Sequence, residues 1–332
     1  MSATLDTVGK LVASVKQSVF GSKQTKLQKI VSIVGALVLL KAGFKLLKNV
    51  LHLLKATPDI SRRYGKGSYV LITGSTDGIG KALTFEFAKR GFNIVSVSRS
   101  TEKLEQTKKD IEERYPGTKV VSIQADFSKA CEKGFFTPII AQTEGIDISI
   151  LINNVGIDCV ELFYEMTEDF IHRMLSINVY TCTMLTRLLL PRLAERKRSA
   201  VITLGSLAGQ MPMSYFNVYC ATKAFTQMLS ISLAKEHRNV DFLSIRPSEV
   251  STGMTHNKPT DIFTITAPQC TAAIVSELAK GSLESNGHWN HCIQEWLYVK
   301  VVPSCIYDFV WDNFIIPDFC KQRNMNPPTK IK

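Results

Sequence analysis

The sequence predicts an α/β fold in which a doubly wound parallel sheet is covered by helices on both faces. Over about 180 residues, short apolar runs of strand length alternate with longer segments of helical periodicity. Such alternation favours right-handed crossovers between parallel strands, which bury both faces of the sheet. The chain of 332 residues is 45% hydrophobic and 21% charged, which is typical of one sizeable globular domain with extensions.

Three segments divide the chain by composition. Residues 1–66 form a basic leader, residues 67–292 carry the alternating pattern, and residues 293–332 form an aromatic-rich tail. Strands are expected at residues 69–72, 92–97, 118–124, 148–152, 200–204 and 240–245. One long helix is expected over residues 168–196, and another helix carries residues 219–223.

A glycine-rich turn follows the first strand and precedes an amphipathic helix that extends to about residue 90. Glycines allow the backbone to approach a pyrophosphate, and the free N–H groups at a helix start favour an anion. The spacing GxxxGxG differs from the general dinucleotide fingerprint GxGxxG, so a purely structural turn is the alternative. The candidate cofactor contacts in this turn are Gly74, Ser75, Thr76, Asp77, Gly78, Ile79 and Gly80.

The residue that follows the second strand indicates which dinucleotide the site prefers. Arg99 stands nineteen positions beyond Gly80. An acid near this position would bond the ribose 2′-hydroxyl of NAD, whereas an arginine suits the 2′-phosphate of NADP. We therefore expect NADP(H), with a solvated surface arginine as the alternative. Asp126, after the third strand, suits either an adenine contact or a helix cap.

Small and amide residues mark the ends of the later strands. Asn153 and Val155 belong to an Asn-Asn-Val-Gly stretch after the fourth strand, where open α/β sheets bind ligands, although a simple turn is also consistent. Asn178 lies inside the long helix, either for a polar task or exposed on its surface. Ser206 follows the fifth strand, and Thr252 lies in the loop after the sixth.

Tyr219 and Lys223 stand four positions apart in a helical segment, so their side chains share one helix face. An ordinary phenol has a pKa of about 10, and an adjacent ammonium favours the phenolate and lowers that value toward neutral pH. The pair can therefore serve in acid-base chemistry. An exposed Tyr/Lys pair without function is the alternative if the spacing is taken alone.

In the order and the spacing of these motifs, the chain resembles the short-chain dehydrogenase/reductase family over about residues 66–290. The stretches Thr-Gly-Ser-Thr-Asp-Gly-Ile-Gly-Lys, Ser-Arg-Ser and Asn-Asn-Val-Gly are more narrowly similar to its branch of membrane-bound 17β-hydroxysteroid dehydrogenases and very-long-chain 3-oxoacyl-CoA reductases. The resemblance implies a Rossmann-type single domain and an NADP(H)-dependent oxidoreductase acting on ketone and CH–OH groups. It also implies the endoplasmic reticulum membrane, with the catalytic domain facing the cytosol.

The resemblance also implies a role for each candidate catalytic residue. Tyr219 would be the general acid that protonates the substrate carbonyl oxygen, and Lys223 would lower its pKa and hold the nicotinamide ribose. Ser206 would hydrogen-bond the carbonyl, Asn178 would help to hold a water linked to Lys223, and Thr252 would contact the carboxamide. Many family members carry Pro-Gly after the sixth strand, where this chain has Pro-Ser at residues 247–248.

The function that this resemblance implies is reduction of a long- or very-long-chain 3-oxoacyl-CoA to the 3-hydroxyacyl-CoA in fatty-acid elongation. One alternative is a steroid dehydrogenase acting at the 17β position, and an alternative of another class is a non-catalytic nucleotide-binding membrane scaffold. The expected partners are a lipid-type substrate and a membrane. Other elongation enzymes and a second copy in a homodimer are further candidate partners.

The leader is expected to attach the protein to a membrane. Residues 30–40 are an apolar run of eleven, too short to span a bilayer, which needs about 20 residues. From Lys41 onward, lysines and a histidine recur every three or four positions, opposite a leucine-rich face. Such a helix can lie in a membrane interface. A soluble amphipathic helix packed on the domain or on a partner is the alternative.

The distribution of charge excludes a nucleic-acid-binding domain. Residues 1–66 hold twelve basic and two acidic residues, a balance of +10, whereas the remainder holds twenty-eight basic and twenty-seven acidic residues, a balance of +1. The eight cysteines are scattered, which favours free thiols in a reducing compartment. No metal site is expected, since the nearest cluster is only His288, His291 and Cys292.

The tail beyond residue 293 is rich in aromatic and aliphatic residues. It could line a long apolar pocket, form an oligomer contact or touch a membrane, and the sequence does not rank these three alternatives.

Overall fold

The computed structural model describes Lys10, Ser14 and residues 25–322. The chain divides into two compact units, Met1–Ala56 and Thr57–Lys332. Residues 57–66, which the sequence analysis assigned to the leader, group with the second unit. The predicted leader before residue 25 lies outside the described residues, apart from Lys10 and Ser14.

The first unit contains one long helix, α1 (Lys26–Leu54). Its exposed large apolar side chains are Ile30, Val31, Ile33, Val34, Leu37, Val38, Leu39, Leu40, Phe44 and Leu51. Within the described part of the chain, no helix combines the length and the apolar character needed to cross a membrane. The side chains of Lys45, Lys48 and His52, which form much of the predicted polar stripe, lie outside the described ones.

The second unit is built on a parallel sheet of seven strands in the order β3-β2-β1-β4-β5-β6-β9. The strands are β1 (Tyr69–Thr73), β2 (Asn93–Ser98), β3 (Val120–Gln124), β4 (Ile148–Asn153), β5 (Ser199–Leu204), β6 (Val240–Ile245), β7 (Val250–Ser251), β8 (Ile265–Thr266) and β9 (Glu284–Ser285). The strand order reverses between β1 and β4, and the crevice at such a reversal is where doubly wound sheets bind ligands. The short strands β7 and β8 pair separately.

Helices cover both faces of this sheet. The helices of the second unit that the structure describes are α2 (Ile60–Tyr64), α3 (Gly78–Lys89), α4 (Thr101–Arg114), α5 (Thr137–Ala141), α6 (Glu168–Leu175), α7 (Thr181–Glu195), α8 (Asn217–Glu236), α9 (Ala267–Lys280), α10 (Trp289–Glu295), α11 (Ser304–Val310) and α12 (Ile316–Gln322). Alternate residues of each strand point to opposite faces. In β1, Val70 and Ile72 therefore join the apolar cluster under α3 and α9, whereas Leu71 joins the cluster under α7.

The short helix α2 is fastened to the sheet by Asp241 of β6. This carboxylate accepts hydrogen bonds from Arg63 (Nε to Oδ2, 3.0 Å), from the Tyr64 hydroxyl (2.8 Å) and from Arg198 (Nε to Oδ2, 2.9 Å). Ile60 and Tyr64 are buried in the core. These contacts explain why the segment before β1 belongs to the second unit.

All six predicted strands are present within a residue or two of their expected bounds. The strands β7, β8 and β9 are not predicted from the sequence, because two residues are too few to show a strand period. The predicted long helix over residues 168–196 is interrupted by a π-helical turn, Ser176–Tyr180, between α6 and α7. All eight cysteine positions lie in the described part of the chain, and no disulfide joins them.

Candidate active site

Three positions of the glycine-rich turn favour glycine, two by their backbone conformation and one by close packing. Gly74 has a φ of +64° and Gly78 a φ of +49°, in the left-handed region that glycine adopts without strain. A Cβ at Gly80 would overlap the Gly74 carbonyl oxygen and the Asn154 side-chain nitrogen. Asp77 caps α3, since its Oδ1 accepts from the Gly78 N–H at 2.7 Å. The turn therefore brings bare backbone and a helix start to the end of β1, as a bound pyrophosphate requires.

Two hydroxyls of the turn fasten it to the neighbouring strand. Ser75 Oγ lies 2.6 Å from Ser96 Oγ, and Thr76 Oγ1 lies 2.8 Å from Ser98 Oγ, both buried. Arg99 follows directly and has an exposed side chain, while its carbonyl accepts from the Gln124 side chain at 3.2 Å. Arg99 thus lies directly after the end of β2 that is bonded to the turn through Ser98 and Thr76.

In the Asn-Asn-Val-Gly stretch, the first asparagine points into the core and the next two residues bond to the end of β1. Asn153 points into the core, where its Nδ2 donates to Thr186 Oγ1 at 2.9 Å. Asn154 Nδ2 donates to the Thr73 carbonyl at 2.8 Å, and the Val155 N–H donates to Thr73 Oγ1 at 3.1 Å. The ends of β1 and β4 are therefore bonded to each other. Asn154, which the sequence analysis did not select, holds the glycine turn in place.

Tyr219 and Lys223 lie in the first turns of α8. Lys223 is buried, its Nζ donates to the Leu204 carbonyl at 2.9 Å, and it lies 5.6 Å from the centre of the Tyr219 ring. Burial lowers the pKa of Lys223 to about 8. The Cys182 thiol is neutral because burial raises its pKa to about 11, so the nearby charge that favours the ammonium is the Asp158 carboxylate.

Asn178 is directed inward by the π-helical turn. Its Oδ1 accepts from the Ile157 N–H at 2.9 Å, and its Nδ2 donates to the Ile157 carbonyl at 2.9 Å and to Thr222 Oγ1 at 3.1 Å. A Cβ at Gly156 would lie 3.3 Å from Lys223 Nζ and 3.4 Å from Asn178 Oδ1. The Asn178 amide and the Lys223 ammonium therefore both lie next to the backbone of Gly156. The alternative of an exposed Asn178 is wrong, because the residue is buried.

Ser206 caps the start of a 3₁₀ turn (Leu207–Gln210) that packs against α8. Its Oγ accepts from the Ala208 N–H at 3.2 Å. A Cβ at Gly209 would lie 2.9 Å from the Lys223 carbonyl carbon, so the turn contacts the helix backbone directly. This contact places the turn that follows half-buried Ser206 against the backbone of Lys223.

The remaining candidates, Thr252 and Asp126, lie shortly after β7 and β3. A Cβ at Gly78 would lie 3.2 Å from Thr252 Cβ, so the loop after β6 touches the glycine turn. Asp126 caps a 3₁₀ turn, because its Oδ1 accepts from the Ser128 N–H at 3.1 Å. The cap that the sequence analysis left as an alternative is thus present, and Asp126 remains exposed. Among the described residues, no group of three or more potential metal ligands occurs.

The C-terminal tail packs in an apolar cluster against the start of α8. A cluster of buried residues joins the start of α8 to α11 and α12, and Tyr219, Met213 and Tyr298 pack against it. Its buried members are Val160, Ala208, Tyr215, Phe216, Cys220, Tyr307, Trp311, Ile316 and Cys320. The three expectations for the tail, an apolar pocket lining, an oligomer contact and a membrane contact, stay predictions.

Comparison with known proteins agrees with this geometry. A family model described as short chain dehydrogenase matches residues 68–262, more than half of the chain. The chain belongs to the short-chain dehydrogenase family. This short-chain dehydrogenase is therefore an NAD(P)(H)-dependent oxidoreductase that acts on ketone and hydroxyl groups.

Several curated relatives of this short-chain dehydrogenase match most of its length. A Caenorhabditis elegans protein named "Putative steroid dehydrogenase 2" is 32% identical over 286 residues, which cover 83% of this chain and 90% of that protein. "Very-long-chain 3-oxoacyl-CoA reductase-B" of Danio rerio is 32% identical over 255 residues, or 74% and 79% of the two chains. "Very-long-chain 3-oxoacyl-CoA reductase" of Podospora anserina is 31% identical over 304 residues, or 86% and 87%.

Solved structures show the same fold. A 7β-hydroxysteroid dehydrogenase matches with a TM-score of 0.69 at 24% identity, covering 76% of this chain and 99% of that one. A short-chain dehydrogenase from Sphingobium yanoikuyae, solved with NADPH, matches with a TM-score of 0.60 at 23% identity, covering 80% and 98%.

Proposed function

We propose that this short-chain dehydrogenase reduces long-chain 3-oxoacyl-CoA thioesters with NADPH, as a membrane-attached enzyme of fatty-acid elongation. The observation that carries the proposal is the position of Tyr219, which pairs with buried Lys223 on one side and packs against the apolar tail cluster on the other. A proton donor beside an apolar wall suits a ketone at the head of a long hydrocarbon chain. Relatives named as very-long-chain 3-oxoacyl-CoA reductases support this substrate class.

The residues at the crevice fit a bound NADPH. Two glycines with positive φ and the crowded Gly80 leave bare backbone and the start of α3 for the pyrophosphate. Exposed Arg99 at the end of β2 supports the 2′-phosphate, hence NADP(H) rather than NAD(H). Thr252, beside the turn, is positioned for the carboxamide end of the cofactor. Bound NADPH supplies the hydride.

Tyr219 donates the proton as negative charge develops on the carbonyl oxygen. The Lys223 ammonium favours the resulting phenolate, and Ser206 donates a hydrogen bond to the same oxygen. Asn178, converging with Lys223 at Gly156, helps to hold a water through which Lys223 exchanges its proton. Each step places a donor where charge develops, which lowers the barrier without moving the backbone.

The exposed apolar side chains of α1 support membrane attachment. A helix that is apolar over much of its surface needs a nonaqueous partner, and a bilayer interface supplies one. The endoplasmic reticulum, with the second unit in the cytosol, agrees with the scattered thiols and with the lipid substrate. Other elongation enzymes and a second copy in a homodimer are the protein partners that fit this location.

A steroid ketone is the second candidate substrate, because one of the similar proteins is named as a steroid dehydrogenase. A non-catalytic scaffold is disfavoured, since the chain retains Tyr219, Lys223, Ser206 and Asn178. The test is NADPH consumption by the detergent-solubilised full chain with a long-chain 3-oxoacyl-CoA and, in parallel, with estrone. Turnover of the acyl-CoA alone supports the proposal. Turnover of estrone alone supports a steroid dehydrogenase in place of the acyl-CoA reductase. NADPH binding without turnover of either substrate supports the non-catalytic scaffold.

The mechanism predicts the behaviour of Tyr219→Phe. This substitution removes the hydroxyl proton and keeps the ring that packs against the tail cluster. We expect turnover to fall at least ~100-fold, the lower range for loss of a general acid, with NADPH affinity nearly unchanged. Fluorescence titration with NADPH and steady-state kinetics measure the two quantities. An unchanged rate would refute the assigned mechanism.

A further inference from the structure

Helix α10, at the start of the C-terminal tail, has an inverted distribution of polarity. Its exposed side carries apolar residues, with Trp289 67% and Ile293 54% exposed. Its inner side carries Asn290, His291 and Gln294, all buried. Burying a polar side chain is costly unless it is hydrogen-bonded, so the partners of these three residues indicate what the helix does.

All three side chains donate to backbone carbonyls of one segment, the 249–263 loop. His291 Nε2 lies 3.2 Å from the Glu249 carbonyl at the loop's start. Burial lowers the pKa of His291 to about 4, so the ring is neutral and Nε2 serves as the donor to that oxygen. Asn290 Nδ2 donates to the Ile262 carbonyl, and Gln294 Nε2 donates to the Phe263 carbonyl at 2.9 Å, both at the loop's end. The helix therefore holds both ends of the loop through main-chain atoms.

Gln294 is the centre of this network because it uses both ends of its amide. Its Oε1 accepts from Ser248 Oγ at 2.7 Å, and its Nε2 also lies 2.6 Å from Asn290 Oδ1. Ser248 is the residue at which this chain departs from the Pro-Gly common in its family. The Ser248 hydroxyl donates to Gln294 and so links the start of the 249–263 loop to α10. Glycine has no side chain and cannot make this bond.

The loop held in this way lies next to the site. Thr252, within the loop, touches Gly78 of the glycine-rich turn. Met254, Ile262 and Phe263 of the same loop expose apolar side chains. A shift of the loop would therefore move a candidate carboxamide contact and an apolar surface together.

We propose that α10 is a clasp, that is, a helix whose buried polar side chains hold both ends of the 249–263 loop. Gln294 is a positioning residue that fixes where this loop lies when cofactor and substrate bind. Gln294 acts through the loop and touches no reacting atom. The cofactor part of the inference needs only the dinucleotide site, whereas the substrate part rests on the proposed reduction of a long-chain acyl-CoA. Because the network is buried and shared, removal of one member leaves several groups unpaired.

The test uses the full chain with Gln294→Leu, which keeps side-chain size and removes every hydrogen bond of the amide. Hydrogen exchange by mass spectrometry is expected to show faster exchange confined to residues 249–263. The Kd for NADPH is expected to rise about 5-fold or more, the factor that corresponds to one hydrogen bond of ordinary net strength. If the acyl-CoA is turned over, its KM should rise more than kcat falls. The matched control is Ile293→Ala on the exposed side of the same helix, which should change none of these quantities.

The inference is overturned if exchange in residues 249–263 and the Kd for NADPH both stay at the wild-type values, or if protection is lost evenly across the sheet. Should Gln294→Leu fail to fold, Ser248→Ala decides, because it removes a single hydrogen bond of the clasp. It is expected to accelerate exchange in the same loop to a smaller extent, and no change there rejects the clasp. Neither exchange nor NADPH binding needs an acyl-CoA, so a wild-type enzyme inactive on acyl-CoA would refute the proposed substrate and leave the clasp supported.

Discussion

Lys223 shows how one residue can be recognised from sequence while its environment is not. The four-residue spacing from Tyr219 placed both side chains on one helix face, and the structure confirms their proximity at 5.6 Å. Burial of the ammonium follows instead from contacts distant in sequence, including the Leu204 carbonyl at the end of β5 and the carboxylate of Asp158. Asp158 carries no motif of its own, so sequence reasoning had no signal by which to select it.

Asp158→Asn is predicted to shift the pH dependence of catalysis. The charged form of Lys223 is lost as pH rises through about 8, so kcat/KM for reduction should fall above that pH. Without the Asp158 carboxylate the ammonium is less favoured, the pKa of Lys223 falls further, and the decline should begin at lower pH. Profiles of kcat/KM against pH measure this shift. Glu112→Gln, at an exposed position on α4, is the control that should leave the profile unchanged.

Gly80→Ala is predicted to damage the cofactor turn. The added methyl would overlap the Gly74 carbonyl oxygen, which is backbone and cannot move aside cheaply. We expect the free energy of unfolding to drop by about 1–3 kcal/mol, as for other overpacked sites. Affinity for NADPH should weaken with it. Gly35→Ala is the control, since within the described residues its Cβ would meet no atom within 4 Å. Denaturant unfolding and NADPH titration test both variants, and equal behaviour of the two would contradict the assigned packing.

At the scale of elements, the π-helical turn Ser176–Tyr180 decides where Asn178 points. A continuous α-helix, as expected from the sequence, gives no reason for an asparagine to face inward. The wider turn brings the amide to the Ile157 backbone and to Thr222, where three hydrogen bonds hold it. Such turns are often found at functional sites.

The tail from α11 to α12 packs against the start of α8, and Trp311→Ala, in the π-helical turn Trp311–Ile315 between the two helices, tests this packing. Trp311 stacks on Tyr307 at 5.9 Å, meets Phe216 at 5.6 Å, and donates from Nε1 to the Ser214 carbonyl at 3.1 Å. Truncating this 8% exposed side chain should lower the free energy of unfolding by about 3–5 kcal/mol. Trp289→Ala, at a 67% exposed tryptophan, should change it by less than ~1 kcal/mol. Similar losses in both variants would mean that the tail is not packed as described.

At the scale of the whole molecule, the second unit contains all the candidate catalytic residues, and the first contains the long apolar helix. Chemistry and proposed membrane attachment are therefore assigned to separate parts of the chain. The assignment can be tested by removing one part and measuring the other.

The full chain is predicted to pellet with membranes, and a chain that begins at residue 57 is predicted to pellet far less. The reason is the loss of the exposed apolar surface of α1, which would otherwise be held in the lipid interface. Sedimentation with endoplasmic reticulum membranes at low salt measures the difference, and NADPH binding by the shorter chain verifies that it is folded. A full-length chain that stays in the soluble fraction would rule out the attachment.

The sequence by itself determined the six main strands, the glycine-rich turn and the pairing of Tyr219 with Lys223 on one helix face. These features are readable because strand period, turn chemistry and the i, i+4 spacing of Tyr219 and Lys223 act over a few neighbouring residues. Only the tertiary structure decided the inward turn of Asn178, the approach of Asp158, the clasp of Gln294 and the wall formed by Trp311. Each of these depends on contacts between segments far apart in the chain, which no local pattern encodes.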